Sequence, residues 1–225
     1  MEKSLSNKLI IAGTGSSGNC YIINYNDKTI IFDAGVKPKE ALQYCENFPE
    51  LLILSHFHND HSKYLSDFES RGIKVIYGQN YSNDRIKVAY FELEHDLTNF
   101  GYYVAIDGYY VVYITDTASI NKFFKKVDLL LIEVNFDDEI IDEHFLNDKI
   151  EPFLYQRIKN NHLSFVKSLD FIKKQERVSP IDLIVFIHLS DSRASEIKLL
   201  EMAGKITGTR IKIAQNKKVI DLKLF

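Results

Sequence analysis

The side chains best suited to chemistry are crowded into one run, Ser55-His56-Phe57-His58-Asn59-Asp60-His61, where three of the chain's seven histidines meet an aspartate. The pattern is His-x-His-x-Asp-His. Residues two apart in extended chain project to the same side, so His56 and His58 can bind one metal ion. A turn or helix starting near Asp60 would swing Asp60 and His61 back to serve a second. Imidazole and carboxylate suit zinc, with manganese or iron as alternatives. The run follows Leu51-Leu52-Ile53-Leu54, a continuous apolar stretch that fits a strand buried on both faces.

One loop does not complete a metal site, and three further residues occupy comparable positions. His95 ends the strand pattern Phe91-Glu92-Leu93-Glu94, Asp116 ends Val111-Val112-Tyr113-Ile114-Thr115, and His188 ends Val185-Phe186-Ile187. Singly, each is more often just a polar strand end. Their shared placement, at the edge where a sheet presents its functional groups, ties them to the histidine run.

The elements that must position these groups are mostly β. Strands are expected at 8–12, 20–25, 28–33, 51–54, 73–77, 86–94, 102–106 and 109–114, with Asn26-Asp27 and Asp107-Gly108 as hairpin turns. Buried-strand runs recur at 129–132 and 183–187. Apolar residues spaced by three and four predict helix over 137–177, and further helices are expected at 38–47 and 193–204. Strands at 210–214 and 218–224 close the chain. Meanders followed by mixed strands and helices suggest sheets covered by helices on their outer faces.

Gly13-Thr14-Gly15-Ser16-Ser17-Gly18 matches the dinucleotide-binding pattern, and Asp33 stands twenty residues on. That function needs a helix to begin at the loop. The β-rich Asn19-Cys20-Tyr21-Ile22-Ile23 follows instead. A glycine turn between strands, lining a pocket rim, is the better reading.

Composition narrows the class. At 225 residues, 45% hydrophobic and 26% charged, with 10 Gly, 4 Pro and 2 Cys, the chain is not collagenous, disordered or a disulfide scaffold. One domain over 1–225 is expected. The net charge of −3 argues against coating of DNA, though not against a local basic groove. No stretch reaches the roughly 18 apolar residues of a membrane span, and Met1–Lys8 carries no apolar core. Cys20 and Cys45 then read as reduced thiols, and the cytoplasm as the expected setting.

The arrangement resembles the metallo-β-lactamase-fold hydrolases over nearly the whole chain. In such proteins a strand-end aspartate supports the site, and Asp33 in Ile30-Ile31-Phe32-Asp33-Ala34-Gly35 fits it. His56, His58, Asp60 and His61 fit the histidine motif, His95 the third-motif histidine, Asp116 the bridging aspartate and His188 the last ligand. Ser16-Ser17-Gly18-Asn19-Cys20 and the two His-Leu-Ser triplets look like the small YycJ-like branch, related to ribonuclease Z and phosphodiesterase members. The earlier triplet makes His162 similar to a histidine that touches the scissile phosphate and protonates the leaving group. That branch usually has Gly where this chain has Asn161.

The resemblance implies an α+β, four-layer (αββα) sandwich of two mixed sheets flanked by helices. It implies two divalent ions, zinc first, and hydrolysis of a phosphodiester of nucleic acid or nucleotides. Hydroxide held by the metals and oriented by Asp60 would attack phosphorus, with His162 as general acid. Asn161, Ser164 and Arg193 are candidates for phosphate contact, and Asp33 for fixing a ligand histidine. The alternatives are a thioester or lactone hydrolase of glyoxalase II type and a cyclic-nucleotide phosphodiesterase. A non-catalytic metal protein is the reading from another class. The stretch from Asp116 to His188 is too short for the inserted domain of the ribonuclease J type. Arg157, Lys159, Lys167, Lys173, Lys174 and Arg177 form a basic run that would hold a nucleic-acid backbone if it flanked His162. His144 matches nothing. A homodimer is left open.

Overall fold

The structure, a computed structural model, describes residues 7–189 and 196–222. Three β-rich runs separated by tight turns build the first antiparallel ladder. These are β1 (Lys8–Gly13), β2 (Cys20–Tyr25) and β3 (Lys28–Phe32), the last two joined at Asn26-Asp27. The apolar runs β4 (Leu51–Leu54) and β5 (Val75–Tyr77) then join in parallel, as crossovers through short helices require. Those helices are α1 (Pro38–Leu42), α2 (Asn59–Ser62) and α3 (Leu65–Glu69).

The second sheet starts antiparallel, through β6 (Tyr81–Ser82), β7 (Ile86–Leu93), β8 (Asn99–Ile106) and β9 (Tyr109–Ile114). It continues in parallel through β10 (Val127–Glu133), β11 (Ile181–Ile187) and β12 (Arg210–Ile213). Between them lie α4 (Asp138–Leu146), α5 (Pro152–Asn161), α6 (Phe165–Val178) and α7 (Glu196–Gly204). The last strand, β13 (Lys218–Asp221), returns to pair with β1. The sheets therefore run β13-β1-β2-β3-β4-β5 and β12-β11-β10-β9-β8-β7-β6.

Period-two alternation decides the layering. Tyr21, Ile23, Phe32 and Ile53 from one sheet meet Tyr102, Val104, Tyr113 and Leu131 from the other in the central core. The opposite face of the first sheet packs on Ala41 of α1 and Phe68 of α3. That of the second packs on Leu169 and Ile172 of α6 and Leu199 of α7. The result is the expected α+β sandwich with helices outside both sheets.

Several expected boundaries move. The helix expected over 38–47 stops at Leu42 because Asn24 captures the next segment, donating to the Tyr44 carbonyl and accepting from the Glu46 amide. The region 137–177 divides into three helices. Asp137 caps the first, Pro152 opens the second, and Ser164 caps the third. The final strands are shorter than expected. The glycine loop after β1 leads straight into β2 with no helix, as anticipated.

Strands β3 and β4 are parallel neighbours, as are β9, β10 and β11, so within each sheet their C-terminal ends share an edge. Asp33, Ser55, Asp116, Glu133 and His188 lie at or just beyond those ends, the usual crevice for ligands in such sheets.

Candidate metal centre

Three site residues follow buried strands in the left-handed region: Asp33 (φ 60°), Asp116 (φ 47°) and His188 (φ 57°). Asp and His tolerate this conformation better than most residues, and it turns each side chain out of its strand. Hydrogen bonds from neighbouring segments hold the strained turns. The Asp33 amide donates to the Ile53 carbonyl at 2.9 Å. Asn99 Nδ2 donates to the Thr115 and Asp116 carbonyls at 2.9 and 2.6 Å. The His188 amide donates to Thr14 Oγ1 at 3.1 Å.

The histidine run divides as its pattern suggests. His56 and His58 lie in extended chain leading off β4, and α2 begins at Asn59, turning Asp60 and His61 back toward the strand ends. Donor atoms converge in two groups, His56–His58–His95–Asp116 and Asp60–His61–Asp116–His188, each with its atoms within 4.8 Å of one another. In the first, His58 Nδ1 lies 3.0 Å from His56 Nε2 and 3.1 Å from His95 Nε2, and Asp116 Oδ2 lies 3.4 Å from His56 Nε2. In the second, His61 Nε2 lies 3.2 Å from Asp60 Oδ2 and 3.4 Å from Asp116 Oδ2, and His188 Nε2 lies 3.3 Å from Asp60 Oδ2.

The outer partners orient these rings. Asp33, fully buried, sits 2.6 Å from His61 Nδ1 and accepts from the Ser55 amide (2.7 Å), Ser55 Oγ (2.9 Å) and Tyr113 Oη (2.5 Å). Ser55 gives its one proton to Asp33, so at 3.0 Å the His56 Nδ1–H donates to Ser55 Oγ. The Asn161 carbonyl, 3.1 Å from His95 Nδ1, can only accept. In all three rings Nδ1 is thereby a donor and Nε2 faces the site, with His95 Nε2 also 3.1 Å from Asp96 Oδ1. His58 is reversed, with Nε2 3.3 Å from Asp96 and Nδ1 turned inward. Three imidazole nitrogens converging on one another satisfy no donor; a cation is the partner that accepts all three. The residues present fit a divalent metal.

Electrostatics agree. Burial lowers His95 to about 4 and also lowers His58, keeping both neutral. Burial opposes charge on His61 and His188 as well, but Asp116 with Asp33 raises the first, and Asp116, Asp60 and Glu133 raise the second to about 10. The Asp60 and Asp116 carboxyls are held low despite burial by the same histidines. The carboxylate cluster thus calls for positive charge, which the histidines supply as protons and a metal ion would replace.

His162, at the C-terminal end of α5, lies 2.6 Å through Nδ1 from Glu133 Oε1. Glu133 is fully buried, and its other oxygen accepts the Thr117 and Leu163 amides at 3.1 and 3.2 Å. Burial disfavours charge on both, yet their mutual attraction raises the imidazole and lowers the carboxyl. A third donor grouping, Asp116–Glu133–His162–His188, reuses two residues of the second.

His162, Asp60, Asp116 and His188 share an open cavity of about 940 Å³ with Ser16 and Ser17 of the glycine loop, Arg157, and Gln215 and Asn216. Ser164 does not reach it: fully buried, its hydroxyl accepts the Lys167 amide and serves α6. Asn161 contributes its carbonyl to His95. Arg193 lies outside the described residues. His144 is on α4 and belongs to neither donor group.

Glu133 was missed, although it closes an apolar strand just as Asp116 and His188 do. So was Asn19, whose buried Nδ2 lies 3.1 Å from Asp60 Oδ2 and 3.0 Å from His61 Nε2, and Asn135, 3.2 Å from His188 Nδ1.

Two sheets within flanking helices, with a His/Asp centre across their strand ends, define the class: the chain has the metallo-β-lactamase fold, and residues 13–87 match the family model of the Metallo-beta-lactamase superfamily. It is similar to the crystal structure of the metallo-β-lactamase fold protein YhfI from Bacillus subtilis. The TM-score is 0.73 at 17% identity, over 96% of this chain and 99% of that one. It is also similar to human tRNase Z, short form, with TM-score 0.64 and 14% identity over 96% and 100%. Endoribonuclease YSH1 of Eremothecium gossypii is 36% identical over 27% of this chain, a match spanning only 10% of that protein's length. Among the described residues no helix is long and apolar enough to cross a membrane.

Proposed function

We propose that the protein is a metal-dependent hydrolase of phosphodiester bonds in nucleic acid or nucleotides, working with two divalent ions, zinc first. His56, His58, His95 and Asp116 would hold one ion, and Asp60, His61, Asp116 and His188 the other. When bound, such a pair supplies Lewis acidity toward phosphoryl oxygen and a water nucleophile ionised at neutral pH.

The observation that carries the choice of phosphodiester is the Glu133–His162 pair on the wall of the same cavity. A carboxylate only accepts, so the 2.6 Å contact places a proton on Nδ1 and leaves Nε2 for substrate. Buried Glu133 also favours imidazolium, giving Nε2 a proton to deliver. The alkoxide leaving a nucleotide needs that proton, and general-acid help of this kind contributes about 10²–10⁴-fold. A thiolate leaves without it. Asp60, on the cavity wall and held by the Asn19 side-chain amide at 3.1 Å, would orient the attacking hydroxide. The nucleases among the similar proteins support nucleic acid as substrate, and two free cysteines support a reducing, cytoplasmic setting.

The test offers the zinc- or manganese-loaded protein single-stranded RNA, single-stranded DNA, a cyclic nucleotide and a glutathione thioester side by side. Diester cleavage that stops on chelation is expected. Thioester turnover with no diester cleavage overturns the reading.

A further inference from the structure

The basic residues over 157–177 take separate duties in the folded chain. Lys159 pairs with Asp142, Lys167 Nζ donates to the Ala118 carbonyl, and Lys174 pairs with Asp170 one turn away. Arg157 is different. It lines the cavity from α5, on the face shared with Leu154 and Ile158 and some five residues before His162. Among the described lining residues it is the one Lys or Arg.

Its Nη2 lies 3.7 Å from Asp96 Oδ2, while Asp96 Oδ1 lies 3.1 Å from His95 Nε2 and 3.3 Å from His58 Nε2. Arg157 therefore stands one residue away from the first donor group. Among the described residues its guanidinium makes that ion pair and no hydrogen bond, and its side chain is half exposed. An exposed pair at this distance is weak. A phosphate offers the guanidinium fork two oxygens in matching geometry and makes the stronger partner.

We infer that Arg157 forms a subsite for a second phosphate. The phosphate next to the scissile one takes the guanidinium from Asp96 while the scissile phosphate sits among Asp60, Asp116 and His162. Leu154, a turn away on the same wall, offers apolar surface to the intervening sugar or base. The inference rests on the phosphodiesterase reading and narrows it: the preferred substrate carries at least two phosphates in succession, as an oligonucleotide does.

The test compares wild-type, Arg157→Gln and Arg157→Lys proteins, metal-loaded, on a single-stranded oligonucleotide and on bis(4-nitrophenyl) phosphate, which has a single phosphate. In Arg157→Gln the ratio of kcat/KM for the oligonucleotide to that for the small ester falls about tenfold, with Arg157→Lys in between. The slope of log binding constant against log salt flattens by about 0.7, one phosphate's share on a single strand. Equal losses on both substrates, or an unchanged slope, overturn the subsite. Wild-type binding with an Arg157-dependent slope but no cleavage of either substrate would sink the hydrolase reading and leave the subsite standing. Cleavage of both, indifferent to Arg157, does the reverse.

Discussion

Glu133 Oε1 and His162 Nδ1 lie 2.6 Å apart between the end of β10 and the end of α5, with Glu133 wholly buried and its second oxygen held by two backbone amides. The carboxylate fixes both the ring orientation and the nitrogen left free. Glu133→Gln keeps the volume and removes the charge, so it should lower kcat for a nucleotide diester about 10–100-fold with KM little changed. Because Glu133 acts through His162, the loss should shrink for a 4-nitrophenolate leaving group. A loss of equal size on both esters would mean that Glu133 merely holds the fold.

Asp33 tests the support of the second donor group. Asparagine tolerates its left-handed backbone, so Asp33→Asn removes charge with little backbone strain. His61 then loses the acceptor that presents its Nε2. Affinity for the more weakly held ion should fall about 10–100-fold by calorimetric titration. Unchanged affinity for both ions would remove Asp33 from the account.

Gly35 is a packing constraint on the same group. Its amide donates to the Asn19 carbonyl at 2.9 Å, and the Asn19 amide donates to the Asp60 carbonyl at 2.7 Å. An added Cβ would overlap the Asp60 carbonyl oxygen and the Asn19 amide nitrogen, both backbone. Gly35→Ala should cost about 1–3 kcal/mol in urea unfolding and, with the proposed pair of ions, lower bound metal from two per chain to one. Two ions retained at wild-type stability would contradict this.

Metal removal should show in stability as well as activity. Asp33, Asp60, Asp116 and Glu133 crowd one largely buried site. Restoring an ion at a hundredfold excess over its Kd should add about 2.7 kcal/mol, a rise in Tm of roughly 5–10 °C at this chain length. Thermal melts with chelator, then with added zinc, measure it. A Tm indifferent to both would argue that no ion belongs to the native fold.

Much of this site is legible in the chain because metal ligands carry distinctive chemistry at fixed spacing. His56, His58, Asp60 and His61 group as their pattern suggests, and Asp116 reaches both groups from a strand end. Residues that act through position alone are harder to see. Asn19, Ser55, Asn99 and Asn135 are ordinary polar residues until the fold brings them against partners far away in sequence, as Asn19 meets His61 across 42 positions. Glu133 was accessible by the rule that found Asp116, a lone acid ending a buried strand. Its pairing with His162 gave no local sign. Ser164 misled for the opposite reason, since a serine beside a site histidine serves a helix cap as readily as a phosphate. In the fold, strands were legible from alternation and from continuous apolar runs, while the early end of α1 was not, because Asn24 on a neighbouring strand stops it.

The most direct measurement of the central claim is the dependence of kcat on leaving-group pKa for a series of aryl and alkyl phosphodiesters, in wild type and His162→Ala, at saturating zinc or manganese. With His162 as the proton donor, wild type should show a shallow dependence. The variant should show a steep one, losing about 10²–10⁴-fold on alkyl leaving groups and far less on 4-nitrophenolate. Parallel dependences in the two proteins would contradict the account.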